Sequence, residues 1–371
     1  MSVVKRVADG ARAVATDPIG RRAYLARLKW LLHGSGALHA HSLEYRAGLT
    51  GRFAIPAERM APDDELVMHC PADCGAHAPL SHLYEQRSVY RLRQTVSSTM
   101  SGATLMCGSD EPPFFVRESI TWPFESILSH GLEVPEVKQA SERIPGVSVV
   151  FPTTPNYYHW LIEDLPLVLR AVEVAPEASY LSFSEGITNR HRLVARTLGL
   201  NLMPMPHVVA VDEQVLAGRS SDSWFVHPQD ARRLADLGRA ITGVGGQEPG
   251  ERVYVSRRHS QRSLPDEARL EDLLADQGFT ILHLESMDWA DQVAAFQRAT
   301  VVVGPHGAGL SNLVFTPPGA TVIELTLGLH YNRCFEWICH VVGHAYSKVD
   351  ADAGEMDPIS LVNAVTAALP R

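Results

Sequence analysis

Apolar and polar positions alternate along much of the chain in a way that predicts short strands separated by helices. From about residue 145, apolar runs such as GVSVVFPT and ASYLSF predict buried strands, and TNRHRLVARTLGL has the spacing of an amphipathic helix. After residue 250 the strands RVYVSR, TILHLE, TVVVG and GATVIELT are again separated by helical segments. Strands that alternate with helices favour parallel sheets with crossover helices, so the predicted fold class is α/β.

The first 150 residues follow other patterns. Residues up to about 50 are predicted to form basic helices, and the stretches SVYRLRQTVSSTMSGATLMCG and FFVRESIT predict a meander of short strands. A polar run rich in glycine and proline, residues 243–250, is typical of a linker between domains. The predicted units are a helical N-terminal extension (1–48), an α/β domain (49–243) and a second α/β domain (250–371).

Length and charge narrow the class of protein. At 371 residues the chain exceeds the size at which one hydrophobic core usually stops growing, which agrees with two domains. Its 45% hydrophobic and 20% charged residues are ordinary for a globular protein. A net charge of -9 argues against general binding to nucleic-acid backbone, which requires clustered Lys and Arg.

The apolar runs, the cysteines and the N-terminal region indicate where in the cell the protein is located. No run of eighteen apolar residues and no apolar leader is visible, and the five cysteines fit reduced thiols, so a cytoplasmic location is expected. Residues 3–32 carry seven Lys or Arg against two Asp, with several leucines and a tryptophan. This composition is compatible with docking on the anionic inner face of a membrane, and equally with two helices packed on the body.

The segment VVVGPHGAGLSNLVF predicts a buried strand, a tight loop and a helix. Such a junction lies at the carboxyl edge of a parallel sheet, where ligands bind. Glycines allow the backbone to approach a ligand, and free N–H groups at a helix start attract phosphate. The loop is neither a dinucleotide GxGxxG nor a P-loop, and a tight turn without a ligand is the alternative interpretation.

Charged residues lie at or near the ends of two other predicted strands in the C-terminal half of the chain. Arg257 and Arg258 come directly after VYVS, and two guanidinium groups at a strand end suit a diphosphate. Glu324 lies in the strand TVIELT and is placed to bond ribose hydroxyls. Asn332, in NRCFEWICH, is a further candidate for a donor contact. Surface ion pairs and a solvated strand end are the alternatives.

The segment NYYHWLIEDLPLVLRA predicts a helix with an unusual polar start. His159 and Glu163 are four residues apart and share a helical face, and Asp164 lies one step further round. Each could remove a proton from a substrate hydroxyl, and the pair could act as a base with its orienting carboxylate. Acidic residues that stabilise the start of a helix are the structural alternative. The sequence leaves the choice among the three open.

No metal site is predicted. Cys70 and Cys74 have a C-x3-C spacing but lack a matching distal pair. His340 and His344 have the spacing of a zinc-protease helix without the glutamate that such a helix needs.

The segments NYYHWLIEDLP, VYVSRR, VVGPHGAGLSNLVFTPPGATVIEL and NRCFEWICHVVGHAY resemble glycosyltransferase family 61, over roughly residues 85–350. The resemblance implies a GT-B fold, with two Rossmann-like domains facing a cleft. It further implies an inverting mechanism, nucleotide-sugar donors that are commonly UDP-linked, and independence from a divalent metal, with no other cofactor. The donor side would then comprise Ser256, Arg257, Arg258, Gly304, His306, Gly307, Ala308, Gly309, Ser311, Asn312, Glu324 and Asn332.

The function expected from the resemblance is transfer of a sugar to a glycan or glycolipid hydroxyl in surface polysaccharide synthesis. The base would be one of His159, Glu163 and Asp164. Two alternatives stay open. One is a non-catalytic module that binds nucleotides or glycans on the same fold. The other is a nicotinamide-dependent oxidoreductase, which the missing GxGxxG disfavours.

Overall fold

The computed structural model describes residues 40–41, 57–62, 66–70, 80–84, 87–106, 114–116, 119, 140, 142–219, 225–243, 250–260, 262–326, 332–351 and 357–369. The predicted helical extension (1–48), apart from residues 40–41, lies outside the described residues, as does most of the predicted linker. The predicted domain boundaries therefore stay predictions.

The strands of the described residues are numbered in chain order. They are β1 (Ala40–His41), β2 (Ala57–Pro62), β3 (Leu66–Cys70), β4 (Leu80–Tyr84), β5 (Ser88–Ser98), β6 (Thr104–Met106), β7 (Phe114–Val116), β8 (Arg143–Val150), β9 (Ser179–Phe183), β10 (Asn201–Met205), β11 (Val208–Ala217), β12 (Glu251–Val255), β13 (Phe279–Leu282), β14 (Ala299–Pro305), β15 (Thr321–Thr326) and β16 (Ala345–Asp350).

The α-helices of the described residues are α1 (Leu165–Val174), α2 (Asn189–Leu198), α3 (Pro228–Thr242), α4 (Glu267–Asp276), α5 (Trp289–Arg298), α6 (Cys334–Val342) and α7 (Pro358–Ala368). A π-helix (His159–Asp164) precedes α1, and 3-10 helices cover Ser184–Gly186, Leu284–Ser286 and Ala308–Phe315. None of these helices is long and apolar enough to cross a bilayer.

The first sheet has the order β1-β7-β6-β5-β11-β8-β9-β10, with β2 paired to β5. Strands β5, β6 and β7 pair antiparallel, which confirms the predicted meander. Strands β8, β9 and β10 are parallel and connected by α1 and α2, as the alternation of strands and helices predicts. The direction changes at β11, which is parallel to β8 and antiparallel to β5. A small separate sheet contains β3 and β4.

The second sheet has the order β13-β12-β14-β15-β16 and is parallel throughout. Its central strands are apolar runs, with Val253, Val302 and Val322 fully buried, as expected for strands covered by helices on both faces. Strand β13 lies on one side of β12, and β14, which comes later in the chain, lies on the other side of β12. The α/β class is confirmed, and two parallel-rich sheets are consistent with a two-domain GT-B-like fold.

Helices from both halves share one hydrophobic core. From the first half, this core contains Leu161 of the π-helix and Leu165 of α1. From the second half, it contains Leu313 and Phe315 of the 3-10 helix that follows β14. Trp160 and Trp289 meet edge to face within it, with ring centroids 5.2 Å apart. Apolar burial of this kind holds the two sheets in one packing arrangement.

The helix predicted around residue 159 forms, but its segment His159–Asp164 has π-helical geometry. Pro166 occupies the first turn of α1 directly after this segment. A proline cannot donate to the carbonyl four residues earlier, and its ring crowds that carbonyl in a continuous α-helix. The wider π turn accommodates Pro166 without ending the helix. Such turns occur frequently at functional sites.

The contact between α3 and the 3-10 helix Ala308–Phe315 gives a testable prediction about packing. A Cβ atom at Gly238 would lie 2.7 Å from Cδ1 of Phe315, which is itself buried. We expect Gly238→Ala to lower the free energy of unfolding by about 1–2 kcal/mol, because overpacking outweighs the gain in helix propensity. Urea unfolding monitored by circular dichroism measures this change.

Gly250→Ala is the matched control, since a Cβ atom there meets nothing within 4 Å. The control should unfold like the parent chain. Equal stability of the Gly238 variant and the parent would show that this helix contact is loose.

Candidate functional site

The candidate donor site lies where the order of the second sheet reverses. The carboxyl ends of β12 and β14 are adjacent there, because Tyr254 pairs with Val303. Ligands bind at this kind of switch point in open α/β sheets. Arg257, which follows β12, donates a hydrogen bond from its guanidinium group to the backbone carbonyl of His306 in the loop after β14. The structure therefore brings the predicted arginine and the predicted glycine loop together.

The three glycines of this loop have packing roles that the sequence did not reveal. A Cβ atom at Gly304 would lie 3.0 Å from Cβ of Val255, and one at Gly309 would lie 2.9 Å from Cδ1 of Leu284. At Gly307, a Cβ atom would lie 2.6 Å from the Nη1 atom of Arg257. Gly304 and Gly309 thus allow close packing against neighbouring side chains. Gly307 leaves the space in which the Arg257 guanidinium group lies, and Ala308 begins the following 3-10 helix.

His306 is held by a buried carboxylate. Its Nδ1 atom hydrogen-bonds Oε1 of Glu324, and the Tyr346 hydroxyl donates to Oε2 of Glu324 at 2.7 Å. Glu324 is fully buried, and both of its oxygens have protein partners. The predicted ribose contact of Glu324 stays a prediction. In this structure Glu324 fixes the orientation of the His306 ring.

Ser256 and Arg258 surround another buried carboxylate. The buried Ser256 hydroxyl donates to Oε1 of Glu271 at 2.6 Å. The half-exposed Arg258 side chain lies 3.4 Å from Oε2 of Glu271. Ser256 thus supports the strand end, whereas Arg258 extends toward solvent, where an anionic ligand is accessible to it.

Ser311 and Asn312 lie on the buried side of the 3-10 helix. The Tyr157 hydroxyl donates to Oδ1 of Asn312 at 2.5 Å and accepts a hydrogen bond from Trp289 Nε1 at 2.7 Å. Burial raises the pKa of Tyr157, so its hydroxyl stays protonated. Asn312 therefore connects the donor loop to the segment before the π-helix. Asn332 lies two residues before α6, and its Oδ1 accepts a hydrogen bond from the backbone N–H of Cys334 at 3.2 Å.

His159 and Glu163 form a close pair, as their spacing predicts. Nδ1 of His159 lies 2.8 Å from Oε1 of Glu163, and their side chains are 16% and 6% exposed. Burial raises the pKa of Glu163 to about 7, while the hydrogen bond and charge of His159 oppose this rise. The Oε2 atom of Glu163 is buried without a hydrogen-bond partner. A carboxyl group that titrates near neutral pH beside an imidazole is suited to proton transfer.

Asp164 has a different environment. Its Oδ1 atom forms an ion pair with Arg219, and the two side chains are 3% and 5% exposed. The Arg219 guanidinium group also contacts the backbone carbonyl of Ser119 at 3.4 Å. Its Oδ2 atom is buried without a hydrogen-bond partner. Removal of either partner of such a buried ion pair is strongly destabilising. The predicted catalytic role of Asp164 stays a prediction.

One aromatic side chain contacts both the segment of the base candidates and the donor loop. Phe335, in the first turn of α6, packs edge-on against Tyr158 at 5.9 Å and against His306 at 5.1 Å between ring centroids. Tyr158 in turn contacts His159, with centroids 5.6 Å apart. The two groups of predicted site residues, about 140 positions apart in the chain, are therefore linked through ring contacts of one phenyl group.

Sequence reasoning missed several side chains that shape this region. Arg190, on α2, places its guanidinium carbon 4.4 Å from the Trp160 ring centroid and 5.5 Å from that of Tyr157. Arg219 follows β11 and pairs with Asp164. Both arginines lie in segments without a motif, so only the fold could reveal them. The aromatic run YYHW was the visible signal for Tyr157 and Tyr158.

Comparisons with known proteins agree with this picture. Residues 157–323 match the family described as Glycosyltransferase 61. A Beta-1,2-xylosyltransferase from Arabidopsis thaliana is 32% identical over 84 residues, which cover 22% of this chain and 16% of the relative. A Protein O-linked-mannose beta-1,4-N-acetylglucosaminyltransferase 2 from Tetraodon nigroviridis is 37% identical over 98 residues, which cover 26% of this chain and 17% of the relative. The chain thus matches less than a fifth of the length of these curated relatives.

The perturbed pKa of Glu163 predicts a pH-dependent stability. The pKa is raised from 4.5 to about 7 on folding, so the protonated carboxyl stabilises the folded state fully below about pH 4.5. This contribution is lost as the pH rises through about 7. Glu163→Gln is neutral at every pH. The free energy of unfolding of the variant minus that of the parent should therefore rise between about pH 5 and about pH 8, because only the parent loses stability over this range.

Urea unfolding at a series of pH values tests this expectation. Glu177→Gln, which removes an exposed carboxylate, is the matched control for the change of side chain. A flat difference for the Glu163 variant would mean that Glu163 is ionised throughout this range.

Proposed function

The chain is a member of glycosyltransferase family 61, and on that premise we propose that it transfers a sugar from a nucleotide-sugar donor to an acceptor hydroxyl. We propose a UDP-linked donor and a glycan or glycolipid acceptor, in the synthesis of surface polysaccharide. Transfer would proceed with inversion at the anomeric carbon and without a divalent metal.

One observation carries this proposal. The His159–Glu163 pair and the arginine-bound loop around His306 belong to different halves of the chain, and Phe335 contacts both Tyr158, next to His159, and His306. A base on one side of a site and an anion-binding loop on the other are the two parts that inverting transfer requires. The match to the family covers both parts, from residue 157 to residue 323.

In the proposed reaction, the pair His159–Glu163 is the base. The acceptor hydroxyl gives its proton to His159 as its oxygen attacks the anomeric carbon, and the bond from that carbon to the diphosphate oxygen breaks on the opposite face. His159 is the more exposed member of the pair. Glu163, bonded to Nδ1, orients the ring and stabilises the imidazolium that forms. Asp164 is occupied by Arg219 and has a structural role.

The leaving diphosphate needs positive charge and hydrogen-bond donors. Arg257 lies over Gly307, and Arg258 extends into solvent from the same strand end. Guanidinium groups and backbone N–H groups stabilise a departing diphosphate without a metal ion. This is the physical support for a metal-independent reaction, and transfer is accordingly expected to survive EDTA.

A non-catalytic module that binds nucleotides or glycans is the second candidate, because Arg257, Arg258 and the glycine loop would serve it equally well. The pair His159–Glu163 separates the two functions. A binding module has no use for a carboxyl group whose pKa is shifted to about 7 beside an imidazole.

Substitution of the base pair distinguishes transfer from binding. We expect Glu163→Gln to lower the transfer rate by about 10²–10⁴-fold, because His159 loses its partner carboxylate. The same variant should keep its thermal stabilisation by UDP. Release of nucleoside diphosphate from a panel of nucleotide sugars, with glycan and glycolipid acceptors, measures the rate.

Two arginine variants, one a test and one a matched control, probe the candidate donor site. Arg258→Gln should weaken the stabilisation by UDP, whereas Arg252→Gln, at an exposed arginine on β12, should leave it unchanged. A parent chain that no nucleoside diphosphate stabilises, or a Glu163 variant with parental turnover, would contradict the proposed function.

We further propose that the enzyme acts on the cytoplasmic face of a membrane. Residues 3–32 carry the excess of Lys and Arg described above. Deletion of residues 1–32 should abolish sedimentation with vesicles that contain anionic phospholipid, because the basic segment supplies the attraction. Binding to uncharged vesicles is the control. Undiminished sedimentation of the truncated chain would contradict this location.

A further inference from the structure

Three potential metal ligands converge beside the candidate donor site. His259 follows β12 by four residues, His283 follows β13 directly, and Glu285 is two residues further on. One ligand atom from each residue lies within 4.8 Å of the ligand atoms of the other two. We propose that His259, His283 and Glu285 bind a divalent transition-metal ion of the Zn²⁺ class.

The strongest support comes from the His283 ring. Its Nδ1 atom is buried from solvent and has no hydrogen-bond partner. Leaving a buried nitrogen unpaired costs free energy, so such an atom requires an explanation. Nδ1 lies 4.0 Å from Oε1 of Glu285. A cation between these two atoms would accept the lone pair of the nitrogen and balance the charge of the carboxylate.

A second carboxylate stands on the other side of the same ring. Oε2 of Glu271 lies 3.8 Å from Nε2 of His283. The Ser256 hydroxyl holds Glu271 in place at 2.6 Å. Histidines that bind a metal through one nitrogen usually face a carboxylate or carbonyl with the other, and this partner sets the ring orientation. Glu271 is placed for that role, with Nδ1 of His283 as the metal ligand.

The donor set favours one class of ion. Two imidazoles and one carboxylate suit Zn²⁺ and its neighbours Co²⁺ and Ni²⁺, whereas Mg²⁺ and Ca²⁺ prefer oxygen ligands. Zinc ligands lie about 2.0–2.2 Å from the metal, so the three atoms must move slightly closer together. His259 and Glu285 are exposed and can rotate, and the His259 and His283 ring centroids are already 5.3 Å apart.

The site goes beyond the proposed transfer reaction, whose base and anion-binding groups are other residues. A bound ion would join the segments that follow two adjacent strands, β12 and β13. One of these segments carries Arg257 and Arg258. The sequence predicted no metal site because the ligands, at positions 259, 283 and 285, match no spacing motif.

Zinc binding to the full chain tests the proposal. Isothermal titration with ZnCl2 should show one binding event in the parent chain that Glu285→Gln and His259→Asn each weaken by at least about tenfold. Asp291→Asn, at an exposed carboxylate on α5, and His340→Asn, at a partly exposed histidine on α6, are the matched controls. Both controls should bind zinc like the parent.

A second readout identifies the ligands directly. Co²⁺ in place of Zn²⁺ should give visible d–d absorption in the parent and in both controls, and this absorption should be absent from the two ligand variants. Because the exchanged side chains are exposed, circular dichroism should show parental folding for both variants. Parental zinc affinity in both ligand variants would overturn the assignment. The same affinity for MgCl2 as for ZnCl2 in the parent would overturn the class of ion.

Discussion

The Tyr157 hydroxyl is the polar contact on which the geometry of the candidate site depends. It is hydrogen-bonded to Asn312 and Trp289, which both belong to the second sheet and its helices, while its own backbone leads into the π-helix of the first half. Leaving a buried hydroxyl unpaired costs free energy. The packing of the two halves is therefore favoured when it satisfies Tyr157. In this arrangement Phe335 contacts both Tyr158, next to His159, and His306.

Three buried carboxylates in this region show how surroundings decide chemistry. Glu324 is surrounded by donors, Asp164 is paired with an arginine, and Glu163 has an imidazole on one oxygen and nothing on the other. For Glu163, desolvation outweighs the favourable contacts, which raises its pKa to about 7. The same functional group thus holds a ring, pairs with a guanidinium group or lies beside an imidazole, depending on its surroundings.

Much of the architecture could be predicted from local patterns. The β-branched runs of β14 and β15 are typical of strands covered on both faces, and the helices between strands follow from amphipathic spacing. The pairing of His159 with Glu163 also followed from their separation of four residues, and it survived the change from α- to π-helical geometry. That change itself could not be anticipated, because it depends on how Pro166 is accommodated in a buried helix.

The sequence by itself determined which residue types stand at strand ends and helix starts, because local periodicity sets these positions. It thereby indicated the α/β class, the glycine loop, the two arginines and the three candidate bases. Only the tertiary structure decided what each of them contacts. Gly307 leaves space for Arg257, Asp164 belongs to Arg219, and Asn312 holds Tyr157. Distances between residues far apart in the chain decide such roles. Burial, which shifts a pKa or leaves the His283 nitrogen without a partner, exists only once the chain is packed.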